Sequence, residues 1–398
     1  MKIQFTKTVW LLGFISLFAD ISSELLYPVL PVYLKNAGYS MLAIGMLEGL
    51  ANVVAGLSKG YFGHKSDSMK SRTVFIRWGY GCSALGKLLM VGAPDLMRIF
   101  TARMTDRLGK GIRTAPRDAM LAAEAGPENR GVVFGFHRGL DTLGAAIGPA
   151  LGMLWLHYHP GDYSTLFTLA FIPAAISFFI TMFIKDKSSV PPAVRKQQVG
   201  FFSYFKYWKT GPASFRKLIL PLLLLALVNS PDVFLLMALK EAGFTDTAMI
   251  GVYVLYNFSY AMLATPAGRI ADRVGKIKVL SAGMLLFTIT YAGMAGLNGW
   301  PVFILLFLIY AAAMSCLESV AKAYISDIAP PDQRGQAIGF YTSASSLSIL
   351  FAGVWTGLLW PYGGPSLVFS ITAFVASCSL LLLYKNSRNL YMKSESKK

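Results

Sequence analysis

Blocks of mostly apolar residues recur along the whole chain and are separated by short polar segments. Each block approaches the length of about 20 residues that an α-helix needs to cross a bilayer. Because such blocks hydrogen-bond their own backbone only as helices, the pattern predicts an all-α membrane protein. The first block is too long for the apolar part of a signal peptide, so we interpret it as a retained span. Twelve spans are predicted, near residues 8–34, 41–62, 73–93, 96–117, 131–156, 163–185, 216–240, 247–268, 277–297, 300–326, 334–359 and 365–385.

The longest polar segment divides these spans into two sets of six. We predict an N-terminal six-helix bundle at residues 1–186, a linker at 187–214, and a C-terminal bundle with a tail at 215–398. The sequence "SSVPPAVRKQQ" reads as a linker because of its Pro-Pro pair and its polarity. The following "FFSYFKYWKTGPASFRK" mixes aromatic and basic residues, so it fits an interfacial helix and a solvated loop about equally well.

Basic residues set the predicted orientation. The chain carries a net charge of +17, and its lysines and arginines collect in alternate segments between spans, in the linker and in the tail. This alternation predicts an inner (cytoplasmic) membrane protein with both termini and the linker in the cytoplasm. The same distribution identifies the lipid bilayer as the partner of the chain and argues against nucleic acid.

The two halves of the chain repeat each other. "PENRGVVFGF" at 127–136 matches "PDQRGQAIGF" at 331–340, and "GHKSD" at 63–67 matches "GRIAD" at 268–272. The two matches have nearly the same offset, which indicates duplicated six-helix units. Such internal repeats are typical of secondary transporters.

With these motifs the chain resembles the major facilitator superfamily over essentially its whole length. The loop signature of that family reads Gly-x-x-x-Asp-Arg-x-Gly-Arg-Arg, and "GRIADRVGKIK" fits it well. In the first half the match is weaker, because Ser68 replaces the arginine. The resemblance implies that this loop is a gating latch on the cytoplasmic side. The residues it assigns to gating are Gly63, Asp67, Arg72, Gly268, Asp272 and Arg273.

The fifth span carries a glycine pattern similar to that of the drug/proton antiporter branch of the family. Gly135, Gly144, Gly148, Pro149 and Gly152 match the pattern, whereas Met153 replaces its last glycine. Small residues let helices pack closely in lipid, and proline bends them. The resemblance therefore adds Gly144, Gly148 and Pro149 to the residues expected to act in gating.

The fourth span carries an unusual density of charge in "RMTDRLGKGIRTAPRDAM", residues 103–120. Its charged residues recur at steps of three and four, so they share one helix face. A charge at membrane depth is costly and should face a partner or a wet cavity. We assign the deeper residues to substrate or proton chemistry and the two nearer the cytoplasmic end to gating. The deeper set is Arg103, Asp106, Arg107 and Lys110, and the gating pair is Arg113 and Arg117.

Other spans offer partners for these charges. Asp20 and Glu24 lie one turn apart in the first span, and Arg138 and Asp141 lie in the fifth. Because helices one and four line the central cavity in the family, the resemblance implies that Asp20 or Glu24 faces Arg103 or Arg107. The residues that could carry a proton are Asp20, Glu24, Asp106 and Asp141, and we favour the first two.

The second half of the chain holds less buried charge. Glu318 and Lys322 are four residues apart, so they could neutralise each other on one helix face. The Ser230-Pro231 pair predicts a kink in the seventh span.

These features predict a transporter that works by alternating access as a monomer, with a small molecule and protons as partners. Proton-coupled efflux of amphipathic compounds is the favoured function. The basic excess on the fourth span supports a small organic anion as the alternative substrate, since arginine suits carboxylate and phosphate. A membrane sensor that binds ligand without moving it is a third hypothesis.

Several function classes are not supported by the sequence. It contains no Walker loop and no hydrolase triad, so we expect neither ATP drive nor enzyme activity. Its three cysteines and four histidines are too dispersed to predict a disulfide framework or a metal site. No cofactor is expected.

Overall fold

The computed structural model describes residues 5–69, 71–92, 95–124, 130–186, 206–330 and 333–395. Helices account for nearly all of this part of the chain, as the apolar blocks predict. They are α1 Lys7–Leu26, α2 Val29–Asn36, α3 Met41–Met69, α4 Arg72–Leu89, α5 Leu96–Glu124, α6 Arg130–Tyr158, α7 Tyr163–Thr181, α8 Tyr207–Thr210, α9 Ala213–Ala226, α10 Val233–Glu241, α11 Asp246–Val274, α12 Lys276–Gly296, α13 Trp300–Ile328 and α14 Arg334–Glu395.

Eight helical segments in the described residues are long and apolar enough to cross a membrane. One of them joins α1 to α2, and another runs along α14, which bends at Gly364 and so contains two predicted spans. The eight segments therefore cover nine of the twelve predicted spans. The other three correspond to α4, α5 and the pair α9–α10. The all-α fold with twelve membrane helices is confirmed.

Two of the three remaining spans differ from the rest because they carry charge. Arg72, Arg77 and Lys87 lie in α4, and α5 contains the charged stretch at 103–120. α5 also continues to Glu124, beyond the predicted end of its apolar block, because a polar helix end is stable in water. These two charged helices pack against each other.

The seventh span is broken, as its Ser-Pro pair predicts. α9 ends at Ala226 and α10 begins at Val233. The carbonyl groups freed by the break are bonded by side chains of α14. The Trp355 indole N–H donates to the Leu227 carbonyl at 2.8 Å, and the Thr372 hydroxyl donates to the Val228 carbonyl at 3.4 Å. The break is thus part of the fold.

The chain forms two compact units. Unit 1 comprises Met1–Gly38, Leu50–Phe201 and Asp246–Gly251, and unit 2 comprises Tyr39–Gly49, Phe202–Thr245 and Val252–Lys398. In unit 1, α1 packs on α6 and α7, and α4 packs on α5 and α7. In unit 2, α14 packs on α9 and α12, and α12 also packs on α13.

The segment expected to be a linker is described only from residue 206 onward, and residues 187–205 lie outside the described part. Its described portion contains α8, a helix of four residues. The Tyr207 ring of α8 meets the Phe215 ring of α9 edge to face, with 4.9 Å between the ring centroids. This contact attaches the start of the second bundle to the end of the segment.

Candidate functional site

The glycine pattern of the fifth span lies where α6 packs on α1. Its glycines recur every four residues and meet backbone carbonyls of α1 that also recur every four residues. A Cβ added to Gly144 would lie 2.5 Å from the Leu17 carbonyl oxygen, one added to Gly148 would lie 2.6 Å from that of Ile21, and one added to Gly152 would lie 3.3 Å from that of Leu25. Only glycine permits the first two approaches, so the motif holds the two helices together over about two turns.

This close packing brings two carboxyl groups together. Asp20 of α1 and Asp141 of α6 lie within hydrogen-bonding distance of each other, and both are partly buried. The Asp20 Cβ lies 3.1 Å from where a Cβ on Gly144 would be, so the glycine makes room for the pair. A hydrogen bond between two carboxyl groups needs one proton, because an ionised carboxylate only accepts. The pair can therefore hold a single shared proton.

Basic groups from two helices surround the pair. Lys110 of α5 is exposed and lies close enough to Asp20 and Glu24 for their charges to interact. The Arg138 Nη1 atom lies 3.0 Å from the Asp141 Oδ2 atom, and the Arg138 side chain is 65% exposed. The site therefore combines a carboxyl pair between α1 and α6 with cations contributed by α5 and α6.

A second charged cluster lies inside unit 1, between α4 and α5. The Lys87 Nζ atom lies 3.2 Å from the Asp106 Oδ2 atom, and the two side chains are 2% and 5% exposed. Arg113 donates a hydrogen bond to the Ser83 hydroxyl, and its guanidinium carbon lies 4.2 Å from the centroid of the Tyr80 ring. This cluster is buried among protein side chains, so it connects two helices.

The structure therefore divides the deep residues of the fourth span. Lys110 lies near Asp20, whereas Asp106 faces α4. Arg103 is 1% exposed, and its guanidinium carbon lies 5.7 Å from the centroid of the ring of Tyr27, the residue directly after α1. Arg107 is partly buried, and its Nε atom has no hydrogen-bond partner within the described residues. The sequence predicted that Asp20 or Glu24 faces Arg103 or Arg107, and this stays a prediction. Lys110 also lies close enough to both carboxylates for their charges to interact.

The sequence offered Lys87 of the third span only as one possible partner for the charges of the fourth span, and did not place it in the site. Its signal was a lysine within the predicted third span, since a charge at membrane depth requires a partner or water. The fourth span offered Asp106 as the acidic residue at that depth, but the pattern did not show which side of α5 faces α4.

Arg72 and Arg117, two of the residues predicted to act in gating, connect neighbouring helices of unit 1. The Arg72 Nη1 atom of α4 donates to the Ala119 carbonyl of α5 at 2.8 Å. The Arg117 Nη1 atom of α5 donates to the Ser16 hydroxyl of α1 at 2.8 Å. Gly63 and Asp67 belong to α3, but their surroundings lie outside the described part of the structure.

The matching residues in unit 2 lie at the junction of α11 and α12. Asp272 is exposed, and its Oδ1 atom lies 3.8 Å from the Lys276 Nζ atom, which also pairs with Asp327 of α13. Arg273 is exposed, and a side chain added to Gly268 would meet open space. Gly268 therefore provides no close helix contact to the described residues, whereas Lys276 joins three helix ends.

Glu318 of α13 has a different partner from the one its spacing suggests. The Tyr260 hydroxyl of α11 donates to the Glu318 Oε2 atom at 2.8 Å. Within the described residues no ion pair joins Glu318 to Lys322. Tyr256 of α11 and Tyr310 of α13, by contrast, are buried. Their rings stack with 5.2 Å between the ring centroids. On α11, therefore, Tyr256 is packed against another ring, whereas Tyr260 donates a hydrogen bond to a carboxylate.

Comparisons with known proteins extend over the whole chain. The family model for the Major Facilitator Superfamily matches residues 12–255 and 233–397. An uncharacterised MFS-type transporter of Methanocaldococcus jannaschii is 31% identical, and the match covers 96% of this chain and 95% of that protein. The multidrug resistance protein MdtH of Aeromonas hydrophila is 23% identical, with 94% of each chain covered.

A solved structure agrees in fold. The crystal structure of the nucleoside transporter NupG superposes with a TM-score of 0.78 at 13% identity, over 96% of this chain and 100% of that chain. At 13% identity this structural similarity supports the fold alone. The family model and the relative from Methanocaldococcus jannaschii indicate common descent, because both matches extend over nearly the entire sequence. The chain belongs to the Major Facilitator Superfamily, a family of membrane transporters.

Proposed function

We propose that the protein is a proton-coupled secondary transporter that exports small amphipathic compounds by alternating access. It would act in the inner membrane, with both termini in the cytoplasm. The observation that supports this most directly is the pair of carboxyl groups of Asp20 and Asp141, which lie within hydrogen-bonding distance between two membrane helices.

The surroundings of the pair suit proton exchange. A nearby cation favours an ionised carboxylate, whereas removal from water favours the protonated form. Lys110 and Arg138 provide the cations, and both side chains are exposed. If the opening and closing of the site changes their distance from the pair or its access to water, the shared proton is taken up on one side and released on the other.

The direction of transport and the substrate class have separate support. The glycine pattern of α6 resembles that of the drug/proton antiporter branch, and in this chain it holds α1 against α6 beside the carboxyl pair. The relative from Aeromonas hydrophila is a multidrug resistance protein. Export of amphipathic compounds is consistent with both.

One observation favours the alternative substrate, a small organic anion. The charged side chains exposed beside the carboxyl pair are basic, since Lys110 is exposed and Arg138 is 65% exposed, whereas Asp141 is 16% exposed. A carboxylate or phosphate group could bind these cations directly. The carboxyl pair would then still carry the proton.

The test is transport by purified protein in liposomes under an imposed pH gradient. Fluorescent amphipathic dyes represent one substrate class, and radiolabelled dicarboxylates represent the other. We expect the gradient to drive dye accumulation, and we expect Asp20→Asn or Asp141→Asn to reduce it by about tenfold or more because the shared proton is lost.

Asp162→Asn is the matched control, because Asp162 caps α7 outside the spans through a hydrogen bond from the Thr165 N–H at 3.2 Å. Asparagine can also cap a helix, so this variant should transport normally. Full gradient-driven accumulation by both Asp20→Asn and Asp141→Asn would overturn the assignment of the proton site. Accumulation of dicarboxylates instead of dyes would establish the alternative substrate.

A further inference from the structure

In unit 2, Glu318 is an exposed carboxylate well inside a membrane helix. It precedes the end of α13 at Ile328 by ten residues, which corresponds to about 15 Å along the axis. Residues on the same face nearer the start of the helix are buried, since Ala311 is 0% and Ser315 is 1% exposed. Lys322, one turn further on, is exposed like Glu318. Exposure on this face therefore begins at Glu318.

This face of α13 is not the one that faces lipid. The strongly exposed Leu305 precedes Glu318 by 13 positions, which places it roughly 140° away around the helix. A face against hydrocarbon would be exposed and apolar along its length, whereas the Glu318 face is buried in one half and charged in the other. Since a carboxylate at this depth needs water or a partner, the face opens into a polar environment.

A tyrosine of α11 contacts the carboxylate, and a tyrosine of α14 lies within range of its charge. The Tyr260 hydroxyl of α11 donates to Oε2 at 2.8 Å. Tyr341 of α14 lies close enough for the charge of Glu318 to act on its hydroxyl. Within the described part of the chain, the second carboxylate oxygen, Oε1, makes no hydrogen bond. An exposed carboxylate and two half-buried tyrosines therefore form an acidic and aromatic cluster with a free acceptor.

We propose that Glu318, Tyr260 and Tyr341 bind the cationic group of an amphipathic organic cation. The proposal rests on the proposed function and names the substrate class within it. The carboxylate supplies charge, and the faces of tyrosine rings attract cations. The hydrogen bond from Tyr260 fixes the direction of the carboxylate, which reduces the ordering that binding requires. Because Lys322 lies one turn away, a second positive charge on the ligand would be repelled.

The test measures binding of tetraphenylphosphonium to the purified full-length protein in detergent at one fixed pH, by calorimetry. Triphenylphosphine oxide serves as the neutral probe of similar shape. We expect the cation to bind and the neutral probe to bind more weakly. Glu318→Gln should weaken binding of the cation by about tenfold or more, because the charge is lost while the shape is kept. Tyr260→Phe should weaken it by less.

Lys322→Gln is the matched control on the same exposed face. It removes a positive charge one turn from Glu318, so binding of the cation should stay the same or become tighter. The unfolding temperature of each variant without ligand shows whether it is folded. If Glu318→Gln proves unstable, Glu318→Asp and Tyr260→Phe replace it: the first keeps the charge but shortens its reach, and the second removes the hydrogen bond to the carboxylate. Each should weaken binding of the cation, and unchanged binding by both would overturn the proposal.

Unchanged binding of the cation by folded Glu318→Gln would overturn the proposal. So would equal affinity for the cation and the neutral probe. Binding at one fixed pH does not depend on proton coupling, so the two proposals can fail separately. Full transport by Asp20→Asn and Asp141→Asn, with cation binding lost in Glu318→Gln, would count against the proton site alone. Loss of transport in those two variants, with normal cation binding by Glu318→Gln, would count against the cation site alone.

Discussion

Lys87 and Asp106 form a buried ion pair between two helices that must cross a membrane. Their side chains are 2% and 5% exposed, and 3.2 Å separates the Lys87 Nζ and Asp106 Oδ2 atoms. Removal of one partner leaves an uncompensated buried charge, which costs about 3–5 kcal/mol, whereas replacement of both by apolar residues can be neutral. The contribution of each residue to stability therefore depends on the other.

We predict that Lys87→Met and Asp106→Leu each lower the unfolding temperature of the purified protein strongly. The double variant should recover most of the loss, because neither charge then remains buried alone. Thermal unfolding of the four proteins in detergent measures this coupling. Arg138→Gln is the control, since the exposed Arg138–Asp141 pair should contribute about 1 kcal/mol or less. A double variant no more stable than the singles would show that the pair is not coupled.

The sequence predicted the charged face of α5 but not its division between two neighbours. At 100° per residue the charges from 103 to 117 spread over an arc of roughly 120°. Asp106 and Arg113 lie at one edge of this arc and meet α4, while Arg107 lies at the other edge. A periodic pattern gives the arc, but the helix that flanks each edge depends on packing along the whole bundle. For this reason the specific pairing of Lys87 with Asp106 could not be predicted from spacing.

At the scale of elements, the glycines of α6 determine how closely it approaches α1. We predict that Gly148→Ala destabilises the protein by about 1–3 kcal/mol, because the new Cβ would lie 2.6 Å from the Ile21 carbonyl oxygen and backbone cannot yield easily. Transport should fall as well, since α1 carries Asp20. Unfolding temperature and gradient-driven transport are the two measurements.

Gly139→Ala is the control in the same helix. Within the described residues no atom lies within 4 Å of a Cβ at Gly139, so alanine should be neutral or should stabilise the helix by up to about 1 kcal/mol. Equal unfolding temperatures for the two variants would contradict the close approach of α6 to α1. The sequence predicted that these glycines pack against a helix, but the identity of that helix came from the structure.

At the scale of the whole molecule, the basic segments predict which helix ends face the cytoplasm. Lys278 and Asn298 are exposed residues near the two ends of α12. After replacement of Cys82, Cys316 and Cys378 by serine, we predict that Asn298→Cys reacts with a membrane-impermeant maleimide in intact cells. Lys278→Cys should react only after the membrane is opened. The opposite labelling pattern would reverse the proposed orientation.

The sequence predicts more of the fold than of the site, because each membrane span is marked by a long run of apolar residues. Span number follows from apolar length, and the broken seventh span follows from Pro231. The composition of the two units was less predictable, since Tyr39–Gly49 belongs to unit 2 although the rest of α3 belongs to unit 1. There Gly49 meets Leu350 of α14, where a Cβ would lie 2.8 Å from the Leu350 Cα atom. Hydropathy carries no information about such contacts.

The charged contact between α4 and α5 also has a consequence for biosynthesis. A membrane helix leaves the translocon when its own partitioning into lipid is favourable. A lysine or arginine in the helix opposes this step, by up to about 2.5–3.5 kcal/mol when it lies at the centre. Within the described residues, α4 and α5 do not qualify as apolar spans by composition. The free-energy cost of placing the Lys87 charge in the membrane falls only once Asp106 has been synthesised and can pair with it. We therefore expect the nascent α4 to wait beside the translocon and to enter the lipid together with α5, as a helical hairpin.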